Sequence, residues 1–274
     1  MGVTVGAAVA ETVRVVWASE GRSRDTRARA EGAGFEDLET LRAVTSVADA
    51  VVSVCPPHGA QALAEAVAET GYDGLYLDAN AVSPATALEI GQAAVGSGAR
   101  PVDGGIVGPP AVRPGTTRLY LSGDGAPEMA SLFAGSPLEA IDLGAEIGAA
   151  SALKMCYAGF TKGSAALLLA LRAAARAYGV ENGLLGEWAR SQPDLEKRST
   201  RSASATAPKA WRFAGEMDEI ADTLAAAGLP EGFHRGAAEA YRRLAGFRGE
   251  AGAVPVDDVI AALLGGGGSS GGGS

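Results

Sequence analysis

An α/β fold with a mostly parallel sheet, continued by an all-α domain, is what this sequence predicts. Three observations carry the prediction. Over the first 145 residues, short apolar runs bounded by Gly, Pro and Asn alternate with helix-like segments, and buried strands between helices mean a parallel sheet covered on both faces. After about residue 145 the strand-like runs stop. The stretch "GAASALKMCYAGFTKGSAALLLALRAAARAYG" (148–179) then reads as one continuous helix, about 45 Å long at 1.5 Å per residue.

In chain order, Met1 to about Thr12 reads as a helix running into a strand at Arg14–Ala18, "RVVWA". A short helix at 24–34 stops at a glycine. "AVVSVCPP" (50–57) is a buried strand ended by two prolines, and "GAQALAEAVAETG" (59–71) is an amphipathic helix. "GLYLDAN" (74–80) is a strand. "SPATALEIGQAAVGSG" (83–98) is a helix with Ser83 as N-cap and Pro84 at its first position. "ARPVDGGIVG" (99–108) and "TRLYLSG" (117–123) complete the strands. Beyond the long helix, four more are expected at 181–192, 193–206, 213–228 and 231–247. This gives a sheet domain at 1–145, a helical substrate and dimerisation domain at 146–264, and a Gly/Ser tail at 265–274 that composition marks as a linker. One long helix cannot bury two apolar faces against itself, so a homodimer through the C-terminal helices is expected.

Bulk properties narrow the function. The chain has 274 residues, a net charge of −9 and 47% hydrophobic residues, which argues against nucleic acid or an anionic membrane as partner. No charge-free apolar run reaches the ~20 residues of a membrane span, and a signal-peptide pattern is absent. Cys55 and Cys156 are far apart, fit no metal spacing, and read as reduced, buried thiols of a cytoplasmic protein.

Five motifs in order carry a family resemblance over about residues 1–247: Met1-Gly2 followed by "VTVGAAVA", "SVCPP" (53–57), "LDANAVSP" (77–84), "VDGGIVGPP" (102–110) and "GAASALKMCYAGFTKG" (148–163). Together they resemble the β-hydroxyacid dehydrogenase superfamily, which holds the 3-hydroxyisobutyrate and 6-phosphogluconate dehydrogenases and the imine reductases. The nearest resemblance is to a bacterial 6-phosphogluconate-dehydrogenase-like branch with its own C-terminal helical domain. The resemblance implies a Rossmann-like dinucleotide-binding domain. Met1-Gly2 matches the end of the family's G-x-G-x-M-G loop, so the family's first strand and first two glycines have no counterpart here. That implies an N-terminally truncated member, whose central strand is lost to its neighbours and whose hold on a dinucleotide is weakened.

Gly2 would mark the helix end on which the pyrophosphate rests. At the end of "VVWA", Ser19 stands where NAD-preferring folds place a carboxylate, and Arg22 and Ser23 follow it. A hydroxyl with a forked guanidinium suits a 2′-phosphate, so NADP is preferred over NAD. Cys55, Pro56 and Pro57 match the rigid loop beside the cofactor riboses, and Asn80 takes the place of a serine next to the nicotinamide. Asp103, Gly104, Val107 and Gly108 match the substrate loop, with Val107 replacing a serine that contacts a substrate carboxylate.

Lys154 matches the catalytic lysine. An ammonium about 3 Å from a carbonyl oxygen stabilises the charge that hydride addition builds there and can hand over a proton. The family's asparagine one turn later is Ala158, and Tyr157 or Lys162 lies close enough along the helix to take over its role. Trp211 and His234 are further substrate-pocket candidates in the helical domain. The function these residues imply is an NAD(P)-dependent oxidoreductase acting on a small hydroxy or keto substrate. An imine reductase is the alternative within the superfamily, and a non-catalytic dimeric scaffold the alternative outside enzymes.

Overall fold

The computed structural model describes residues 1–144, 146–250 and 252–265, so the expected tail from 266 onward lies outside the described residues. The chain divides into two compact units, Met1–Met155 and Cys156–Ser274.

The first unit runs α1 (Gly2–Ala7), β1 (Val16–Trp17), α2 (Arg24–Gly32), β2 (Glu36–Asp37), α3 (Leu41–Thr45), β3 (Ala50–Ser53), α4 (Ala60–Ala68), β4 (Leu75–Asp78), α5 (Pro84–Val95), β5 (Arg100–Val107), β6 (Thr117–Ser122), α6 (Ala126–Leu132) and β7 (Leu138–Asp142). β3, β4 and β5 are parallel neighbours, β6 runs antiparallel to β5, and β7 is parallel to β6. The expected mostly parallel α/β sheet is therefore present. Side-chain alternation along the strands supplies two cores. Leu75, Leu77, Val102, Leu119 and Leu121 pack with α1 and α6 on one face. Tyr76 packs with Ala64 and Val67 of α4 and Ile90 of α5 on the other.

β1 pairs only with β2, and β3 only with β4, so the described residues form two separate sheets. Among the described residues, β1 and β3 each keep one edge with no strand beside it.

Several elements depart from the sequence reading. α1 ends at Ala7, and residues to Val13 turn back on themselves through Thr12 N–H and Val13 N–H donating to Val9 O. β2, α3, α6 and β7 were not expected. β2 is a Glu-Asp pair and fully exposed, so no apolar pattern announces it. α5 forms as expected, with Ser83 Oγ accepting from Thr86 N–H at 3.2 Å and Pro84 at its first position.

The long helix α7 (Ala149–Ala177) is continuous over 29 residues. α8 (Glu181–Ser191), α9 (Leu195–Thr206), α10 (Ala210–Ala226), α11 (Gly232–Arg243) and α12 (Val256–Leu263) follow. α12 is an addition to the expected set. It is anchored by buried Val259, Ile260 and Leu263. Among the described residues no helix is long and apolar enough to cross a membrane. The two cysteines are free, but the expectation that both are buried fails: Cys55 is half-buried and Cys156 exposed.

Candidate active site

The geometry starts at β5. Its "DGG" stretch brings the first turn of α7 against the strand. A Cβ on Gly105 would lie 2.7 Å from Ala150 O and 3.0 Å from Lys154 Cβ, and one on Gly104 would meet Leu77 Cδ1 at 2.7 Å. Both positions need glycine because helix and neighbouring strand approach closely. Gly108 has φ +128 and no space for a side chain against Thr116 and Thr117.

Asp103 fixes the helix. Its buried carboxylate accepts from Gly148 N–H at 3.0 Å, Ser151 N–H at 2.9 Å, Ser151 Oγ at 2.6 Å and Ser122 Oγ at 3.1 Å. These donors include orphan amides of the α7 N-terminus, where a negative charge is favoured. The expectation that Asp103 binds substrate is therefore corrected: its oxygens are committed to holding α7. Gly104 is likewise a packing residue, and Val107 is buried within β5. One turn into α7, Lys154 lies half-buried across the same strand and Nζ donates to Ile106 O at 2.5 Å. Asp103 and Ile106 thus set both the helix and its lysine.

A second cluster occupies the C-terminal ends of β3 and β4. Asn80 is buried, and its amide is fully engaged. Nδ2 donates to Asp78 Oδ1 at 2.5 Å and Ser53 Oγ at 2.8 Å, and Oδ1 accepts from Cys55 N–H at 2.5 Å. Asn80 therefore braces the Cys55-Pro56-Pro57 loop and does not reach outward, which corrects its assignment as a direct nicotinamide contact. Pro56 is extended and Pro57 opens a short 3-10 turn, so both stiffen the loop. Burial pushes the Asp78 carboxyl up to about 6, against the pull of its bonds from Asn80, and pushes the Cys55 thiol up as well. Asp78 has no ion pair among the described residues, and the nearby Asp103 charge adds to its shift.

At the end of β1 the three expected cofactor residues separate. Ser19 is buried, and its hydroxyl holds the Asp37 carboxyl below the usual range. It is thus a structural link between β1 and β2, in place of the expected cofactor contact. Ser23 caps α2, with Oγ accepting from Thr26 N–H at 3.3 Å. Arg22 is exposed just before that cap, and its guanidinium has no ion pair among the described residues. Gly2 is exposed at the start of α1, but α1 has only six residues.

In the second unit, the candidate substrate residues are mostly internal. Lys162 pairs with Glu216 with both side chains largely buried, and it lies 4.6 Å above the Phe213 ring. That ion pair corrects its role as a free stand-in for the lost asparagine. His234 sits over Gly159 and Gly163, with Nε2 3.3 Å from Gly159 O. Trp211 is covered by Arg248 at 4.2 Å. Tyr157 is exposed on α7. Asp78, Ser53, Ser122, Ser151 and Glu216 were missed. The visible signal was a carboxylate in each of the apolar runs holding Asp78 and Glu216. The hydroxyls gave none, since serine is common on any surface.

No curated protein matches the chain in sequence. Residues 175–244 match the family described as a domain of unknown function, DUF1932. Among solved structures, a 3-hydroxyisobutyrate dehydrogenase from Mycobacterium tuberculosis with L-serine is 17% identical, covers 96% of this chain and 95% of its own, and superposes at a TM-score of 0.69. The chain has the 3-hydroxyisobutyrate dehydrogenase fold. A conserved protein of unknown function, described as structurally similar to 3-hydroxyacid dehydrogenases, shares this fold at 26% identity, covering 88% and 94%, with a TM-score of 0.62. A reductive aminase from Aspergillus terreus in complex with NADPH and ethyl levulinate is a more distant match, at 18% identity, covering 96% and 94%, with a TM-score of 0.50. The 3-hydroxyisobutyrate dehydrogenase fold thus accounts for both units of the chain.

Proposed function

We propose that the chain is an NAD(P)-dependent oxidoreductase that moves a hydride between a nicotinamide and a small hydroxy or keto substrate. The observation that carries the reading is Lys154, held one turn inside α7 by the Asp103 anchor and by Ile106 O. A partly buried lysine in a fixed place is equipped to donate a proton to an oxygen that gains charge, and to take it back in reverse. A bound nicotinamide would supply the hydride. The chain's own part is to position Lys154, to stiffen the Cys55-Pro56-Pro57 loop through Asn80, and to present Arg22 beside the α2 N-terminus. An exposed guanidinium without an ion pair, next to a capped nine-residue helix, suits a phosphate, which favours NADP over NAD. The free cysteines fit a reducing compartment, and we place the protein in the cytoplasm.

Ala158 and Val107 are both buried and offer no hydrogen bond to a substrate carboxylate. That favours, as the second reading, a substrate without one, such as an imine.

The test is titration of NADPH and NADH into the chain, alongside a version extended by a strand and a G-x-G loop. Arg22→Ala is expected to weaken NADPH by about 10- to 100-fold, the value of one or two charge-assisted hydrogen bonds, with NADH unchanged. Binding of NADPH by neither version would replace this reading with that of a non-catalytic scaffold.

A further inference from the structure

We infer that Arg118 of β6 sets the substrate specificity of the Lys154 site by receiving a carboxylate. The inference rests on the oxidoreductase reading above, since it takes Lys154 as the group that meets the reacting oxygen. Residues directly opposite in an antiparallel pair carry their side chains on the same face. Asp103, Gly105 and Val107 of β5 stand opposite Ser122, Tyr120 and Arg118 of β6. The start of α7 lies against that face. Ser122 Oγ accepts from Ala150 N–H at 3.1 Å, and a Cβ on Gly105 would lie 3.0 Å from Lys154 Cβ. The first turn of α7 thus runs from the Asp103–Ser122 rung to the Gly105–Tyr120 rung, and Lys154 Nζ continues to Ile106 O at 2.5 Å. The next rung on this face is Val107 and Arg118, a pair whose Cα atoms stand about 4.5–5.5 Å apart.

The surroundings of Arg118 leave its charge to a ligand. The residue is half-buried, and among the described residues its guanidinium has neither an ion pair nor a hydrogen bond. A charge taken partly out of water is normally paired. Glu139 of β7 stands in register with Arg118, yet it stays exposed and no ion pair joins the two. Asp103, on the same face, lies four residues along the ladder, about 13 Å at 3.3 Å per residue, and its oxygens are filled by donors of α7 and Ser122. Between Lys154 and Arg118 the strand offers no other polar side chain, because Gly105 has none and Val107 is apolar. A small molecule with its reacting oxygen at Nζ therefore finds one fixed cation on the adjoining rung. The planar fork of an arginine matches a carboxylate through a pair of parallel hydrogen bonds, which a neutral group cannot equal. The substrate class this favours is a small hydroxy or keto acid, read by β6, over a neutral imine.

The experiment is calorimetric titration of the full chain with 3-hydroxybutyrate and with malonate, and with the neutral amide of each, in the presence and absence of NADPH. Both acids are expected to bind, and the amides to bind roughly 10-fold or more weakly. Arg118→Met is expected to weaken the acids by about 10- to 100-fold, the value of a charge-assisted pair, and to leave the amides and the circular dichroism unchanged. Arg118→Lys, which keeps the charge and loses the fork, should recover part of the affinity for acids. Glu139→Gln should leave acid binding unchanged. Acids and amides bound alike, no binding of either, or acid binding untouched by Arg118→Met would each overturn the proposal, whatever NADPH binding shows. Acid binding that depends on Arg118, in a chain that neither binds NADPH nor transfers hydride, would keep this site and overturn the oxidoreductase reading instead.

Discussion

At the residue scale, two charged groups separate chemistry from architecture. Lys154→Met keeps the aliphatic stem and removes the ammonium. It is expected to lower the turnover of any carbonyl substrate by about 10²- to 10⁴-fold, the usual contribution of a positioned acid, with NADPH affinity unchanged. Equal losses in binding and turnover would make Lys154 a packing residue instead. Asp78 is a different case, since its carboxyl is pushed up to about 6 by burial. The folded state then holds this proton to higher pH than the unfolded chain, whose carboxyl titrates near 4. Its contribution to stability is greatest below pH 4 and is lost as pH rises through about 6. Asp78→Asn keeps an acceptor for Asn80 Nδ2 and removes the charge. Its stability advantage over the unaltered chain should widen between pH 4 and 7 to roughly 3 kcal/mol, read from urea midpoints across that range. A constant difference would sink the assignment.

At the scale of elements, the corner between β5 and α7 is the feature to disturb. Gly105→Ala drives a methyl into Ala150 O and Lys154 Cβ. It should cost about 1–3 kcal/mol as overpacking and shift Lys154 enough to reduce turnover. In the helical unit the Lys162–Glu216 pair joins α7 to α10. Lys162→Met alone leaves a buried carboxylate unpaired and should cost about 3–5 kcal/mol, whereas Lys162→Met with Glu216→Leu should recover most of that loss. Thermal denaturation of the single and double variants measures the coupling. Many elements were legible because their signals are local. Ser83-Pro84 announces the start of α5, and the charge-poor run from 148 announces α7. β2 and α6 were not, because an exposed Glu-Asp pair and a seven-residue helix carry too little pattern.

At the scale of the whole molecule, the described strands form two separate sheets. β1 and β3 each keep an unpaired edge among the described residues, and unpaired edges leave backbone groups to water. A version extended by a strand that pairs with both should raise Tm. It should also slow amide exchange at Val16–Trp17 and Ala50–Ser53, and tighten NADPH binding. Exchange at these amides that does not slow on extension would mean that one strand does not bridge the two edges.

The sequence by itself determined the α/β class, the main alternating strands and helices of the first unit, and the long helix that carries Lys154. These follow from hydrophobic period, caps and breakers, which act within a few residues. Only the tertiary structure decided what the polar residues do. Asp103 and Asn80 stand in motifs that suggest ligand contact, but their hydrogen bonds close on α7 and on the Cys55 loop. Lys162 closes on Glu216, 54 residues away. A buried polar group must find its partner wherever the fold brings one, and that partner is set by strand register and helix packing across long separations, which no local pattern records.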